Sequence, residues 1–174
     1  AREGEDPIVH LQIGKHPAKG FRMVTDCTKP PVFAWGAWTC DRRNRFDDSF
    51  LRTVYDSLVR NEKWWRERRF DKRGEMFHYD GNPKDPAERK IAAGWESGMD
   101  DSPRWDGDAW NFYAIDLNGY MVLTYRVLAE FAARLGETKT AAEFRTRGLA
   151  LERRMEERLW DETDGCYYDL NRTT

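Results

Sequence analysis

The sequence predicts an all-α fold of repeated helical hairpins with functional loops on one face. Three observations carry that prediction. Apolar side chains recur at helical spacing from Asn44 to Phe70, from Asp116 to Leu135 and from Thr138 to Leu159. The connection from Leu135 to Thr140 is short enough to make the last two antiparallel neighbours. A helix-end pattern also occurs twice, about 90 residues apart: Phe70-Asp71-Lys72-Arg73-Gly74-Glu75-Met76-Phe77 and Trp160-Asp161-Glu162-Thr163-Asp164-Gly165-Cys166-Tyr167. Each reads helix, Asp, turn, then aromatics, which suggests repeated hairpins with small β-turn excursions in their loops.

Taken in order, the first 25 or so residues have no clear period and contain Gly14, Pro17 and Gly20, so they are expected to be irregular. Asn44 and Asp47 precede a stripe of Phe50, Leu51, Val54, Tyr55, Leu58 and Trp65, the signature of an amphipathic helix ending near Phe70. From Gly74 to Ile115 the chain carries Gly81-Asn82-Pro83, Asp85-Pro86, Gly94, Gly98 and Pro103 and is expected to be a long irregular, functional loop. Asp116 is expected to N-cap a helix through Leu117, Met121, Leu128 and Phe131 that Gly136 stops. A further helix from Thr138 or Thr140 carries Phe144, Leu151, Met155 and Leu159.

Composition narrows the function. The 174 residues suffice for one ordinary domain, and 8 Trp, 7 Tyr and 9 Phe are too many aromatics for a disordered chain. Charged residues make up 34% and the mean hydropathy is −0.88, which suits a binder of flat, hydroxylated molecules or a core that is half present. With a net charge of −2 and no basic face, a nucleic-acid partner is not expected. No apolar run approaches the roughly 20 residues of a membrane helix, so no membrane partner is expected either. The chain opens at Ala1, so a missing leader says little; the compartment stays open, the cytoplasm being favoured. Cys27, Cys40 and Cys166 are expected as buried free thiols, a Cys27–Cys40 bridge being the alternative. His10, His16 and His78 form no ligand motif, so neither a metal nor another cofactor is expected.

The chemistry concentrates in Trp95-Glu96-Ser97-Gly98-Met99-Asp100-Asp101-Ser102-Pro103-Arg104-Trp105-Asp106. On one helix Glu96 and Asp100 would stack and repel; Gly98 and Pro103 argue for a fixed loop that turns carboxylates into a cavity. Glycosidic cleavage needs a carboxylic acid to protonate the leaving oxygen and a second carboxylate across the ring. Neighbouring acids and Trp walls raise the acid's pKa, while Arg104 lowers it. The plainer reading is a turn of solvated acids beside a structural Arg–Asp pair.

The segment Glu96 to Trp105 resembles the Glu-Ser-Gly-x-Asp-(Asp/Asn)-Ser-Pro-Arg-Trp motif of glycoside hydrolase family 63, which contains processing α-glucosidase I and bacterial α-glucosidases; mannosylglycerate hydrolases are similar. Lys29-Pro30-Pro31 leading into Trp35 and Trp38 is similar to the family's Pro-Pro segment, although the family more often has Gln at the position of Lys29. Leu58–Gly74 and Asp116-Leu117-Asn118 are similar to its helix end and to the start of its next helix, so the resemblance covers roughly Cys27 to Asn171.

The resemblance implies part of an (α/α)6 barrel that hydrolyses α-glucosidic or α-mannosidic bonds with inversion. Residues 1–174 would be a fragment of a single catalytic domain. Asp100 is implied as general acid, with Asp101 the alternative, and Glu96 as an accessory carboxylate that orients the site or tunes Asp100. The implied base is a Glu beyond Thr174, so the partners are a glycoside or oligosaccharide and the rest of the same domain. Trp35, Trp38, Trp95, Asp101, Arg104, Trp105 and Asn118 complete the expected substrate-binding set. Arg104 either binds substrate or locks the loop through Asp101 or Asp106, and locking is the reading taken. Trp64, Trp110 and Trp160 are assigned to packing. Apolar faces at Phe50–Leu58 and Leu117–Leu135 are expected to stay open without the remaining hairpins. The rival readings are an inactive sugar-binding relative, a trehalase- or epimerase-like enzyme, and a structural helical scaffold.

Overall fold

The computed structural model describes residues 9–16, 20–80, 86–99, 102–106 and 111–173, and it is mostly helical, as the sequence predicts. The N-terminal part departs from expectation: β1 (Val9–His16) and β2 (Gly20–Thr28) form an antiparallel ribbon with one bulge at His10/Leu11. Val9, Leu11 and Ile13 alternate with His10 and Gln12, a period of two that marks a strand.

Helices α1 (Phe33–Arg43) and α2 (Asp48–Arg68) form one hairpin, and α4 (Ile115–Arg134) and α5 (Thr138–Arg158) form a second. The second packs on the first through α4, which touches both α1 and α2. Leu51, Tyr55, Leu58 and Trp65 of α2 are buried, as are Leu117, Met121, Leu128 and Phe131 of α4. The apolar faces expected to lie open therefore cover one another, and Phe50 alone of the named stripe stands half exposed. Polar ties reinforce the contact, with the Trp38 indole N–H on Glu130 at 3.0 Å and Arg134 on the buried Asp41 at 2.7 Å.

The helix ends follow local rules. Asp47 caps α2, its carboxylate accepting the Phe50 N–H at 2.9 Å. Gly136, at φ +79°, stops α4 while the Glu137 N–H reaches back to the Ala132 carbonyl. Asp116 is not the cap of α4: that position is Ala114, and Asp116 sits in the first turn with its carboxylate engaged elsewhere.

Each of α2 and α5 runs straight into a two-stranded hairpin. β3 (Phe70–Asp71) pairs with β4 (Met76–Phe77), and β6 (Trp160–Asp161) with β7 (Cys166–Tyr167). The step is constant: Asp48 to Thr138 and Arg68 to Arg158 are each 90 positions apart. β5 (Phe112–Tyr113) pairs with β8 (Leu170–Asn171), and Tyr113 also bridges to His78. The expected long loop contains α3 (Pro86–Ser97), which packs on β2 and on the 3-10 turn Pro103–Asp106. Pro86 opens that helix, where a missing N–H is harmless.

Cys40 and Cys166 are free but exposed rather than buried, so Cys40 forms no bridge to Cys27. Trp110 lies outside the described residues, and Trp160 is partly exposed rather than packed. Among the described residues no helix is long and apolar enough to cross a membrane. Surface grooves open among the described residues. One of about 620 Å³ lies between the end of α2, the β3–β4 hairpin and α5, and one of about 630 Å³ lies along α4 and α5.

Candidate functional site

Three segments distant in the chain converge on Glu96. Its side chain is 0% exposed and receives Arg69 in a two-pronged contact, Nη2 to Oε1 at 2.6 Å and Nε to Oε2 at 2.9 Å. The Thr28 N–H reaches Oε1 at 3.3 Å and the Asp80 N–H reaches Oε2 at 2.9 Å. Arg69 is the C-cap of α2, Asp80 follows the β3–β4 hairpin, and Thr28 ends β2. A pair this dry holds only because both charges are paired and the remaining lone pairs are filled; removing one partner costs about 3–5 kcal/mol. Glu96 is thus a clamp, and Arg69 neutralises the negative charge expected to raise the pKa of Asp100 by like-charge repulsion.

The chain leaves this clamp sharply. α3 ends at Ser97, and Gly98 takes φ +70° with its N–H on the Gly94 carbonyl at 3.1 Å. A Cβ at Gly98 would meet the Pro30 ring at 3.4 Å. The positive φ is what makes glycine necessary there. Glu96 is therefore helical, whereas the chain beyond Gly98 is not a continuation of α3. Met99 and Ser102, which flank Asp100 and Asp101, are joined by a hydrogen bond from the Ser102 N–H to the Met99 carbonyl at 3.1 Å. Asp100 and Asp101 themselves lie outside the described residues.

A second clamp holds the far side. Arg104 binds Asp169 through Nε at 2.5 Å and Nη2 at 3.0 Å, and Asp116 through Nη1 at 2.8 Å. Burial works against the guanidinium's charge, but the two carboxylates outweigh it and raise its pKa. Asp116 also accepts the buried Tyr79 hydroxyl at 2.8 Å. Arg104, expected from sequence to pair with Asp101 or Asp106, pairs among the described residues with Asp116 and Asp169; Asp101 lies outside those residues. Trp105 is 5% exposed, meets Tyr79 edge-on at 6.3 Å, and donates its indole N–H to the Met99 carbonyl at 2.6 Å. It packs under the loop instead of lining an open wall.

Asn118 is likewise internal. Its Oδ1 accepts the Phe77 N–H at 2.8 Å, and its Nδ2 donates to the Phe77 and Ala114 carbonyls at 2.9 and 2.8 Å. Its hydrogen-bonding capacity goes to backbone, which leaves none of those groups for substrate. Trp38 is turned to Glu130 at the α1–α4 contact, with the Arg42 guanidinium 5.5 Å from its ring. Trp35 and Trp95 remain as the open aromatic surfaces, 55% and 40% exposed. Lys29 reaches into this region and donates to the Trp95 carbonyl at 2.6 Å.

Sequence reasoning missed Arg69, Tyr79 and Asp169. Arg69 stands in the mixed-charge run Arg66-Glu67-Arg68-Arg69 at the end of α2, where no local pattern marks a buried partner. Neither surface groove includes any residue of this site.

Two Arg–carboxylate clamps, one buried and one part-buried, flank the Asp100-Asp101 pair in sequence, with two exposed indoles among the expected pocket residues. The profile of the mannosylglycerate hydrolase MGH1-like glycoside hydrolase domain matches residues 13–174, a span that includes both clamps and the whole Glu96–Trp105 motif. The resemblance read from that motif is borne out, and the chain belongs to the mannosylglycerate hydrolase MGH1-like glycoside hydrolase domain family.

Proposed function

We propose that this chain is the acid-bearing part of an inverting glycosidase whose catalytic domain is an (α/α)6 barrel, with Asp100 as the general acid. The observation that carries the reading is the double clamp: Glu96–Arg69 fixes the chain before the Asp100-Asp101 pair, and Arg104–Asp169–Asp116 fixes it after. A proton donor must be held to within a fraction of an ångström, and rigid flanks do this.

Asp100 gives its proton to the glycosidic oxygen as the C–O bond breaks, while a carboxylate across the ring takes a proton from the attacking water. The carboxyls then stand about 6.5–9.5 Å apart. Glu96, Asp116 and Asp169 are each bound by arginine, so none of them is free to act as that base. The base is a Glu outside these residues, and Asp101 is the alternative acid. Glu96, Arg104, Trp105 and Asn118 are positioning residues. Trp35 and Trp95 offer apolar faces to a pyranose. The substrate is an α-mannoside or α-glucoside. The family's name, a hydrolase of mannosylglycerate, favours a small mannoside, and the Lys29 ammonium suits an anionic leaving group.

The test is Asp100→Asn in an active enzyme containing this chain. Turnover of natural glycosides should fall by about 10²- to 10⁴-fold with folding intact. A glycosyl fluoride, whose leaving group needs little protonation, should lose much less. Equal loss on both substrates removes Asp100 from the role.

A further inference from the structure

The two clamps are joined by adjacent residues. The Asp80 N–H lies on Glu96 Oε2 at 2.9 Å and the Tyr79 hydroxyl on Asp116 Oδ2 at 2.8 Å, so residues 79 and 80 touch one clamp each. The backbone just before them is itself held: the His78 N–H reaches the Arg69 carbonyl at 3.0 Å, and His78 bridges to Tyr113. Tyr79 is 1% exposed and meets Trp65 and Trp105 edge-on, each ring centroid 6.3 Å away. Burial first, and the Asp116 charge second, raise its pKa well above that of a free tyrosine, so the hydroxyl stays a donor to Asp116.

Two routes lead from this side chain toward the Asp100-Asp101 pair. Through the hydroxyl, Tyr79 holds Asp116, whose other oxygen takes Arg104 Nη1 at 2.8 Å. Asp169 grips Arg104 with both oxygens, but Asp116 offers it only one, so without Tyr79 that carboxylate could turn about a single contact. Through the ring, Tyr79 backs Trp105, whose indole N–H is donated to the carbonyl of Met99, the residue before Asp100, at 2.6 Å. The Ser102 N–H reaches the same carbonyl at 3.1 Å. We propose that Tyr79 is a positioning residue for the general acid, keeping the two clamps in one register through Asp116–Arg104 on one side and Trp105–Met99 on the other. The proposal rests on the reading of Asp100 as that acid. Phenylalanine would fill the same space, so what the hydroxyl adds is the orientation of Asp116 toward Arg104 rather than core volume.

The test is Tyr79→Phe in an active enzyme containing this chain, measured beside Asp100→Asn. For a glycoside with a poor leaving group, kcat should fall about tenfold while KM stays within about twofold, because a misaligned donor still lets substrate bind. A glycosyl fluoride should keep its kcat within about twofold, a selectivity that a general loss of packing would not produce. In an Asp116→Asn background the same change should cost less than about twofold further, since its effect passes through Asp116. Should Asp116→Asn fail to fold, the single variant decides. Equal falls on both substrates, or unchanged glycoside turnover, overturn the proposal, and a selective loss in Asp100→Asn then leaves the reading of the acid standing. Losses in Asp100→Asn that are equal on both substrates overturn that reading and the proposal with it.

Discussion

The β3–β4 and β6–β7 hairpins have the same strand pairing and closely similar ring pairs but opposite surroundings. Phe70 and Phe77 meet edge-on at 5.0 Å and 60°, and Trp160 and Tyr167 at 4.9 Å and 64°. Asp71 and Asp161 each tie their turn by accepting N–H groups from it, Arg73 in one case and Thr163 and Asp164 in the other. Around the first hairpin the molecule then closes. Burial alone would raise the Asp71 pKa, but the Arg73 N–H, the Tyr113 hydroxyl and Arg172 hold it well below the usual carboxylate range. Gly74 is buried so close to Tyr113 that a Cβ would stand 2.0 Å from its hydroxyl oxygen, whereas the matching Asp164 is exposed. Local sequence therefore makes the ladder, and the neighbours decide whether it becomes the wall of a site or a bare surface.

The largest expected contrast is between the two strand aromatics. Phe77→Ala should lower stability by about 3–5 kcal/mol by opening a cavity, while Tyr167→Ala should lower it by no more than about 1 kcal/mol. Denaturant midpoints of both variants measure this, and equal losses would show that the second hairpin is as firmly packed as the first.

Acid should act on the first unit and spare the second. Burial, with Arg172 next in effect, pushes His78 down to about 4, while the Tyr79 carbonyl and Asp80 oppose the shift. An unfolded histidine titrates near 6.5, so the unfolded chain binds the extra proton between those values. The stability His78 contributes is full above about pH 6.5 and falls by about 3 kcal/mol as pH drops to 4. Tyr168, the matching residue, has no such transition in that range. Unfolding measured across this window should lose most of its slope in His78→Gln, and an undiminished slope would assign the effect elsewhere.

The smallest effect concerns the turns. Glu75 adopts φ +55° where its counterpart Gly165 has φ +63°. Gly165→Ala should cost about 1 kcal/mol, and Glu75→Gly should be near neutral because relieved strain offsets the lost Arg154 ion pair. A melting temperature that drops for Glu75→Gly and holds for Gly165→Ala would reverse this assignment.

Much of this organisation was legible in the sequence because it is local. The stripes of α2, α4 and α5, the Asp47 cap, the Gly136 stop and the repeated hairpins are all encoded within a few residues of where they act. α3 was hidden by Pro86 and Gly94, read as breakers. Pro86 occupies a first turn that tolerates it, and Gly94 lies under the Trp105 ring, whose atoms stand 3.7 Å from where its Cβ would be. β1 was hidden because its alternation is short and broken by Gly14. In the site the motif itself could be read, but the partners that give it shape could not. Arg69 lies 27 positions from Glu96 and Asp169 lies 65 from Arg104, and no local pattern links them. Asn118 and Trp105 were read as surfaces for sugar because their chemistry suits it, whereas packing has already committed both.

The Glu96 clamp also constrains the order of assembly. It joins Thr28, Arg69 and Asp80 to α3, with separations of up to 68 residues. Closing loops of that size is entropically slow and goes unrewarded until the ends meet, so α2 and its hairpin must be in place first. The clamp is then among the last parts to be organised. A chain whose core is loosened loses the Glu96–Arg69 pair before it loses its helices, so that contact reports on folding quality earlier than helical content does.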